Sequence, residues 1–263
     1  MRLRIASALV LAPVALAAVY AGGWSTVALV ALAGILAANE WDRLRGGPGL
    51  QGSIGILHAT SILTAAIFAG LGFYQAALIS MAGGMLVIGC FAIWRKQPAI
   101  WSLIGVLYLS LPIIALIWMR GAQTGVEMLI WLLLVVWATD IAALFTGKTF
   151  GGPRLWPSVS PKKTWSGATG GLLAAAAVGA ITAALREKAT LGIMIPLSVG
   201  LSAISQAGDL AESAVKRYYG VKDTGTLIPG HGGILDRIDG LLLALPAAAV
   251  IAILNEGSAL IWP

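Results

Sequence analysis

Nine apolar segments of roughly 20 residues follow one another along this chain, separated only by short polar stretches. An α-helix needs about 20 apolar residues to cross the hydrocarbon of a bilayer, so each segment matches one membrane crossing. Only helices and closed barrels satisfy the backbone in lipid, and continuous apolar runs argue against a barrel. The sequence predicts an all-α integral membrane protein, a polytopic bundle of about nine transmembrane helices. The segments cover residues 5–21, 24–39, 54–73, 74–94, 99–119, 126–146, 166–185, 190–214 and 238–261.

The composition agrees with a membrane protein. Of 263 residues, 59% are hydrophobic and 11% are charged, whereas a soluble domain has about 25% charged residues. The net charge is +6, but the basic residues are distributed between apolar segments and form no continuous stripe that would bind nucleic acid. We therefore expect membrane lipids and an anionic substrate as partners, and no nucleic acid.

The positions of Lys and Arg predict the orientation. With nine spans and a cytoplasmic N-terminus, all but three of the 17 basic residues fall on the cytoplasmic side, as the positive-inside rule expects. The exceptions are Arg120, Arg186 and Lys188. The first segment follows two Arg and ends in small residues, which fits either a signal peptide or a retained first helix. We predict a multi-pass protein of the cell membrane.

Three polar stretches lie at predicted helix ends on the cytoplasmic side. The first is the loop 147–165, GKTFGGPRLWPSVSPKKTW, which contains Ser160, Lys162, Lys163 and Thr164. Ammonium and hydroxyl groups at the start of a helix are suited to binding phosphate. The alternative is a basic loop that only sets the topology.

The second stretch is the end of the eighth segment. Asp209 and Glu212 are three residues apart, so they share one helix face, in apolar surroundings where a carboxylate usually has a cationic partner. One turn further on, Ser213, Lys216 and Arg217 add a hydroxyl and two cations. The alternative is an ordinary acidic pair near a helix end with its own salt bridges.

The third stretch is PGHGGILDRIDG, at the start of the ninth segment. Asp236 and Asp239 are again three residues apart, and they face the other acidic pair if the eighth and ninth helices form a hairpin. Four carboxylates near lysines and a glycine-rich loop suit a hard divalent ion that holds phosphate oxygens. His231 is expected either to contact a phosphate or to cap the turn.

Two polar residues lie inside predicted spans. Asp140 has no obvious local partner, and an intramembrane acid is a functional candidate by default. A structural hydrogen bond to a neighbouring helix is the alternative. His58 is expected to be a packed, hydrogen-bonded histidine, not a ligand.

Residues 213–239 resemble the signature of the phosphatidate cytidylyltransferases, also called CDP-diacylglycerol synthases. The resemblance runs from SAVKR through KDTG to LIPGHGGILDRID, and the upstream sequences SPKKTWSG and GDLAES also resemble that family in the right order. One departure follows Asp140, where this chain reads DIAAL and family members often carry an Asp-Thr-Gly-Ala-Tyr-like segment. The N-terminal half resembles the family only in being hydrophobic.

The resemblance implies transfer of the cytidylyl group from CTP to phosphatidic acid, giving CDP-diacylglycerol and pyrophosphate in phospholipid biosynthesis. It also implies a bacterial inner membrane, an active site facing the cytoplasm, Mg²⁺ as cofactor with room for a second metal ion, and a homodimer. Residues 1–125 would form a scaffold with a lipid-facing or oligomer surface. Residues 126–263 would form the catalytic transmembrane region.

Roles for individual residues follow from the resemblance. The expected metal ligands are Asp209, Glu212, Asp236 and Asp239. The expected catalytic residues are Asp209, Asp236, Lys222 and Asp223. The expected substrate and phosphate ligands are Ser160, Lys162, Lys163, Thr164, Ser213, Lys216, Arg217, His231 and Arg237, and Asp140 is a further candidate.

Other functions fit the sequence less well. A secondary transporter could use the acidic pairs as cation sites, but the chain has no internal repeat and concentrates its basic residues on one side. A CDP-alcohol phosphotransferase requires a different motif of spaced aspartates, which is absent here. A purely structural subunit would leave the dense charged stretch without a role.

Overall fold

The protein is described by a computed structural model that covers residues 13–186, 190–227 and 232–254. Residues 13–21 are helical and are called α1. The remaining elements are α2 (Gly23–Leu44), a 3₁₀ turn (Gly49–Gln51), α3 (Ser53–Gly70), α4 (Tyr74–Trp94), α5 (Ala99–Gly121), α6 (Gly125–Phe150), β1 (Arg154–Trp156), β2 (Ser160–Thr164), α7 (Trp165–Leu185), α8 (Leu191–Tyr218) and α9 (Leu235–Leu254).

Eight of these helices, α2 to α9, are long and apolar enough to cross a membrane, with lengths of 18 to 28 residues. They correspond to the last eight predicted spans, so the all-α multi-pass fold is confirmed. Of the first predicted span, 5–21, the structure describes residues 13–21, which are helical, and residues 5–12 lie outside the described residues. The cytoplasmic position of the N-terminus stays a prediction.

Helix ends differ from the prediction where charged residues begin. Helix α2 continues to Leu44 instead of ending at 39, α8 continues to Tyr218, and α9 begins at Leu235. The apolar segments marked only the part of each helix that hydrocarbon can cover, whereas residues such as Glu, Lys and Arg extend a helix beyond that limit without difficulty.

The predicted loop 147–165 is more ordered than expected. Helix α6 continues to Phe150 and ends at Gly151, which adopts a positive φ of 61°. Strands β1 and β2 then form a short antiparallel hairpin, with Arg154 opposite Thr164 and Trp156 opposite Ser160. The hairpin leads directly into α7.

The chain forms two compact units. The first contains residues 1–121 and 219–238, and the second contains residues 122–218 and 239–263. In the first unit, α3 packs against α2, α4 and α5. A cluster of Ile54, Ile88, Ala92 and Val106 lies at the centre of this packing.

In the second unit, α7 packs against both α6 and α8. Small residues allow this approach: a Cβ added at Gly179 would lie 2.5 Å from the carbonyl oxygen of Met194 in α8. Interhelical hydrogen bonds add to the packing, since Thr139 Oγ1 donates to Ser202 Oγ at 2.8 Å. Close backbone approach and such bonds are the usual basis of helix association in membranes.

Gly179→Ala should therefore destabilise the protein. The new methyl group would meet backbone, which cannot move aside, and overpacking of this kind costs about 1–3 kcal/mol. Gly200→Ala in α8 is the matched control, because a Cβ there meets nothing within 4 Å. Thermal unfolding in detergent should give a lower Tm for the first variant only. Equal Tm values would show that α7 and α8 tolerate separation at this point.

Candidate active site

The lysine-bearing hairpin and the acidic face of α8 meet in the second unit. Lys163, on β2, forms an ion pair with Asp209 of α8. Both side chains remain partly exposed, at 28% and 30%. The pair therefore stays open to a ligand, and two of the three predicted polar stretches lie together.

The same face of α8 carries a second, buried ion pair. Lys216 Nζ lies 2.9 Å from Glu212 Oε1, and both side chains are nearly inaccessible. Ser213 Oγ donates to Asp209 Oδ1 at 3.5 Å, a long hydrogen bond. In these contacts each acid has its own cation, as in the alternative interpretation of Asp209 and Glu212 as an ordinary acidic pair with its own salt bridges.

Arg217 connects the end of α8 to the turn of the hairpin. Its Nε donates a hydrogen bond to the carbonyl oxygen of Val159 at 3.2 Å, and the residue is otherwise exposed. Ser160 is half-buried and lies opposite Trp156 in the hairpin, and Lys162 of β2 is exposed. The hairpin thus presents cationic groups beside the acidic face.

Helix α9 adds a further carboxylate next to this face. A Cβ at Gly208 of α8 would lie 2.9 Å from the carbonyl oxygen of Asp239, so the two helices adjoin as the predicted hairpin requires. The side chain of Asp239 accepts a hydrogen bond from Gly240 N at 2.7 Å. Asp209, Glu212 and, more weakly, Asp140 act on it electrostatically.

Asp140 lies on an exposed part of α6. Its electrostatic effect on Asp239 places it near the acidic face of the second unit. Sequence reasoning offered either a functional acid or a structural hydrogen bond for this residue. Both interpretations of Asp140 stay predictions.

Thr164 caps the first turn of α7. Its Oγ1 accepts a hydrogen bond from Gly167 N at 3.1 Å, and the residue is buried. Capping by a threonine hydroxyl satisfies one of the free N–H groups at a helix start. Thr164 therefore has a structural role as the N-cap of α7. Its contact with phosphate stays a prediction.

The third polar stretch belongs to the first unit. Asp236 is buried, and its Oδ2 accepts hydrogen bonds from Thr224 N, Thr224 Oγ1 and Gly233 N at 2.8–2.9 Å. Gly232 has a positive φ of 81°, and a Cβ there would lie 2.6 Å from Asp236 Oδ2. The three N–H and O–H donors make Asp236 the centre of this loop.

The other predicted residues of this stretch lie at its surface. Lys222, Asp223 and Arg237 are exposed, and their roles stay predictions. A Cβ at Gly232 would lie 3.4 Å from Asp223 Cβ, so Asp223 is close to the loop that Asp236 organises. His231 lies outside the described residues.

Sequence reasoning missed Glu40, near the end of α2. Its carboxylate is 4% exposed. It accepts hydrogen bonds from Thr224 Oγ1 at 3.0 Å, Ile234 N at 2.9 Å and Leu235 N at 3.0 Å. The available signal is an acid at the edge of an apolar segment, in NEWDRL, where the hydropathy pattern places the end of the span.

The start of the same loop rests on α5. The ring of Tyr219 packs edge-on against Trp101, with centroids 5.7 Å apart. Nearby, burial lowers the pKa of the Arg45 guanidinium, and the neighbouring Asp42 carboxylate opposes this shift.

His58 is fully buried, with its ring nitrogens 3.0 and 2.9 Å from the carbonyl oxygens of Ile54 and Ser102. The expected packed histidine is confirmed.

The donor set fits a hard divalent cation in chemical type. The acidic face of the second unit offers carboxylate oxygens, which Mg²⁺ prefers, and a cation would offset their mutual repulsion. As placed, Lys163 and Lys216 already neutralise Asp209 and Glu212. Over residues 13–186, 190–227 and 232–254, no three His, Cys, Asp or Glu side chains are close enough to share one ion.

Comparisons with known proteins agree with these motifs. The model of the cytidylyltransferase family matches residues 2–254. A phosphatidate cytidylyltransferase of Brucella suis biovar 1 (strain 1330) is 40% identical over 247 residues, which cover 92% of this chain and 89% of the relative. An enzyme of the same name from Bacillus subtilis (strain 168) is 42% identical over 125 residues, which cover 47% of this chain and 46% of the relative. Another, from Haemophilus influenzae (strain ATCC 51907 / DSM 11121 / KW20 / Rd), is 46% identical over 127 residues, which cover 46% of this chain and 44% of the relative.

Thr164→Ala should lower the stability of the protein by about 1 kcal/mol, because the free N–H of Gly167 loses its acceptor. In a protein of this size that corresponds to a fall in Tm of about 2–4 °C. Thr164→Ser should retain the cap. Thr169→Ala is the control, since its hydroxyl donates only to carbonyls of its own helix. A Tm for Thr164→Ala equal to that control would contradict the capping role.

Proposed function

This chain belongs to the cytidylyltransferase family, and we propose that it transfers the cytidylyl group from CTP to phosphatidic acid. The products are CDP-diacylglycerol and pyrophosphate. The contact between Lys163 and Asp209 is the observation that carries the proposal, because it joins a cationic hairpin to an acidic helix face. A nucleotidyl transfer between two anions needs both kinds of group at one place.

We place the reaction at the cytoplasmic side of a bacterial inner membrane. The basic residues concentrated on that side of the predicted topology support this placement. CTP would then arrive from water, and phosphatidic acid would enter from the bilayer between helices. A site at helix ends suits one soluble and one lipid substrate.

The reaction requires no strong base. A phosphate oxygen of phosphatidic acid attacks the α-phosphorus of CTP, and the bond from that phosphorus to the oxygen of the β-phosphate breaks. Pyrophosphate leaves with the bonding electron pair. The attacking phosphate is already an anion, so the barrier comes from bringing two anions together and from charge on the leaving group.

The side chains of the second unit can lower that barrier. Lys162 and Lys163 would hold phosphates of CTP, since one is exposed and the other is partly exposed. Ser213 would donate a hydrogen bond to a phosphate oxygen. Lys216 is buried against Glu212, so it would act mainly by fixing that carboxylate.

Asp209, Glu212 and Asp239 are the carboxylates of the second unit that would supply ligands to Mg²⁺, and since the three are not close enough to share one ion as placed, binding would require Asp209 and Glu212 to turn from their lysines. When bound, such an ion supplies positive charge to the phosphates and to the leaving pyrophosphate. The choice of Mg²⁺, a second metal ion, metal ligation by Asp236 and a homodimer are proposals that rest on the family resemblance alone. So do the roles of Lys222, Asp223 and Arg237.

Purified protein should release pyrophosphate from CTP only when phosphatidic acid and Mg²⁺ are both present. Asp209→Asn and Asp236→Asn should abolish this turnover, because each removes a negative charge assigned to the reaction. Glu127→Gln is the matched control, since Glu127 is partly exposed and pairs with Arg186.

The outcomes are separable. Release without phosphatidic acid would indicate a nucleotide hydrolase, and no release at all would remove the proposed function. Near-normal activity of folded Asp236→Asn would remove that residue from metal binding. Comparing the Tm of each variant with the unmodified protein separates loss of activity from loss of folding.

Lys163→Ala should weaken CTP binding more than Lys162→Ala does. It removes a phosphate contact and also leaves Asp209 without its ion pair, whereas no ion pair is observed for Lys162 over the described residues. A lost charged hydrogen bond costs about 1.5 kcal/mol or more, roughly tenfold in KM for CTP. Arg95→Ala, which removes an exposed cation that is not assigned to the site, is the control. An unchanged KM for CTP in both lysine variants would mean that the hairpin lysines do not bind CTP and only set the membrane topology.

A further inference from the structure

We infer that Glu40 of α2 is a positioning residue for the described part of the loop before α9, residues 219–227 and 232–234, and, through it, for Asp236. The catalytic consequence rests on the proposed function, whereas the anchoring of the loop does not. Glu40 directly follows the second apolar segment and is far in sequence from every predicted site residue. Its carboxylate nevertheless accepts hydrogen bonds from two backbone N–H groups of the signature stretch and lies within hydrogen-bond distance of the Thr224 hydroxyl.

The first step is the geometry of the carboxylate. Oε1 accepts from Ile234 N, and Oε2 accepts from Leu235 N and Thr224 Oγ1, all at 2.9–3.0 Å. With only 4% of its surface exposed, Glu40 is not solvated in water to any useful extent. A buried charge requires hydrogen-bond donors, and those found here come from the loop.

The second step is the start of α9. A helix begins with N–H groups that have no partner inside the helix. The residue before α9 is Ile234, which has no side-chain acceptor to cap them. Glu40 takes the N–H groups of Ile234 and Leu235, and Asp236 takes that of Gly233. The negative charge of Glu40 also suits the positive end of the helix dipole.

The third step connects Glu40 to Asp236. Thr224 Oγ1 lies 3.0 Å from Glu40 Oε2 and 2.9 Å from Asp236 Oδ2. A hydroxyl has one proton, so it donates to one carboxylate at a time. Asp236 Oδ2 also accepts from Thr224 N. Any movement of Thr224 therefore moves a partner of both acids.

The fourth step is the space that glycines leave. A Cβ at Gly233 would lie 2.2 Å from Glu40 Oε2 and 2.3 Å from Thr224 Oγ1. A Cβ at Gly225 would lie 3.0 Å from Glu40 Oε1. Two glycines of the signature stretch thus allow the carboxylate to reach the loop backbone. The loop and Glu40 are fitted to each other.

Glu40→Gln tests the anchor directly. Gln has the same size, but its NH₂ group would face the N–H of Leu235 in place of an acceptor. Loop opening is measured by maleimide labelling of Thr226→Cys, an exposed loop position, in a Cys90→Ser background without substrate. We expect Glu40→Gln to raise the labelling rate at least fivefold, and Glu127→Gln to leave it unchanged.

Thr224 supplies the second test. Thr224→Val keeps the shape and removes the hydroxyl, so it should also raise labelling, whereas Thr224→Ser should restore the original rate. Since the two residues share one contact, the labelling rate of Glu40→Gln combined with Thr224→Val should rise by less than the product of the two single increases. Independent contributions would multiply the two rates and would contradict the shared contact.

Turnover provides the catalytic test. In Glu40→Gln, kcat for pyrophosphate release should fall at least tenfold, with KM for CTP changed less than threefold, because Glu40 does not touch the nucleotide. Thr224→Ser should keep the original kcat, while Thr224→Val should not. Unchanged labelling in Glu40→Gln overturns the anchor, and faster labelling with normal kcat overturns the positioning role. If Glu40→Gln fails to fold, Thr224→Val decides in the same way.

Absence of turnover in the unmodified protein would remove the proposed function and leave the labelling result standing. The two failures are therefore distinguishable. The reporter cysteine tests the contact between α2 and the loop, and the CTP assay tests what the loop is for.

Discussion

A carboxylate at the edge of a membrane must find positive charge or hydrogen-bond donors, and the structure around the candidate site is organised by this requirement. The two units meet it differently. In the second unit, lysine ammonium groups neutralise Asp209 and Glu212. In the first unit, backbone N–H groups and one threonine hydroxyl surround Glu40 and Asp236. The first arrangement can exchange partners with a ligand, whereas the second fixes the backbone.

This difference separates binding from positioning. Lys163 and Asp209 are partly exposed, so an anionic ligand can compete with Asp209 for the ammonium group. Lys163 would then pair with the ligand, and the Asp209 carboxylate would need another cation in its place. Glu40 is buried, and each of its hydrogen-bond donors belongs to the loop backbone or to Thr224. Such an acid holds a segment in place and has little to offer a soluble phosphate.

The sequence predicted the spans well because bilayer thickness sets their length, and eight of the predicted segments became helices. The close approach of Gly208 to Asp239 meets the condition that α8 and α9 adjoin, while the meeting of the two acidic pairs stays a prediction. The hairpin at 154–164 and the continuation of α2 beyond residue 39 were not predicted, since neither lies in hydrocarbon. Glu40 was missed for a different reason. Its hydrogen-bond partners are about 190 positions away in the sequence, and no local period encodes such a contact.

Local pattern also underestimated the N-terminal half. The predicted division at residue 125 assigns all expected catalytic and binding residues to the C-terminal region. In the structure, residues 219–238 form a compact unit with residues 1–121. The signature stretch contains too few apolar residues to fold on its own, so its glycines, its threonine and the first turn of α9 take their positions from α2 and α5. Glycines that leave room for a carboxylate from another helix constrain that helix as well. The N-terminal helices therefore belong to the machinery that shapes the signature loop, even where their own sequence resembles the family only in being hydrophobic.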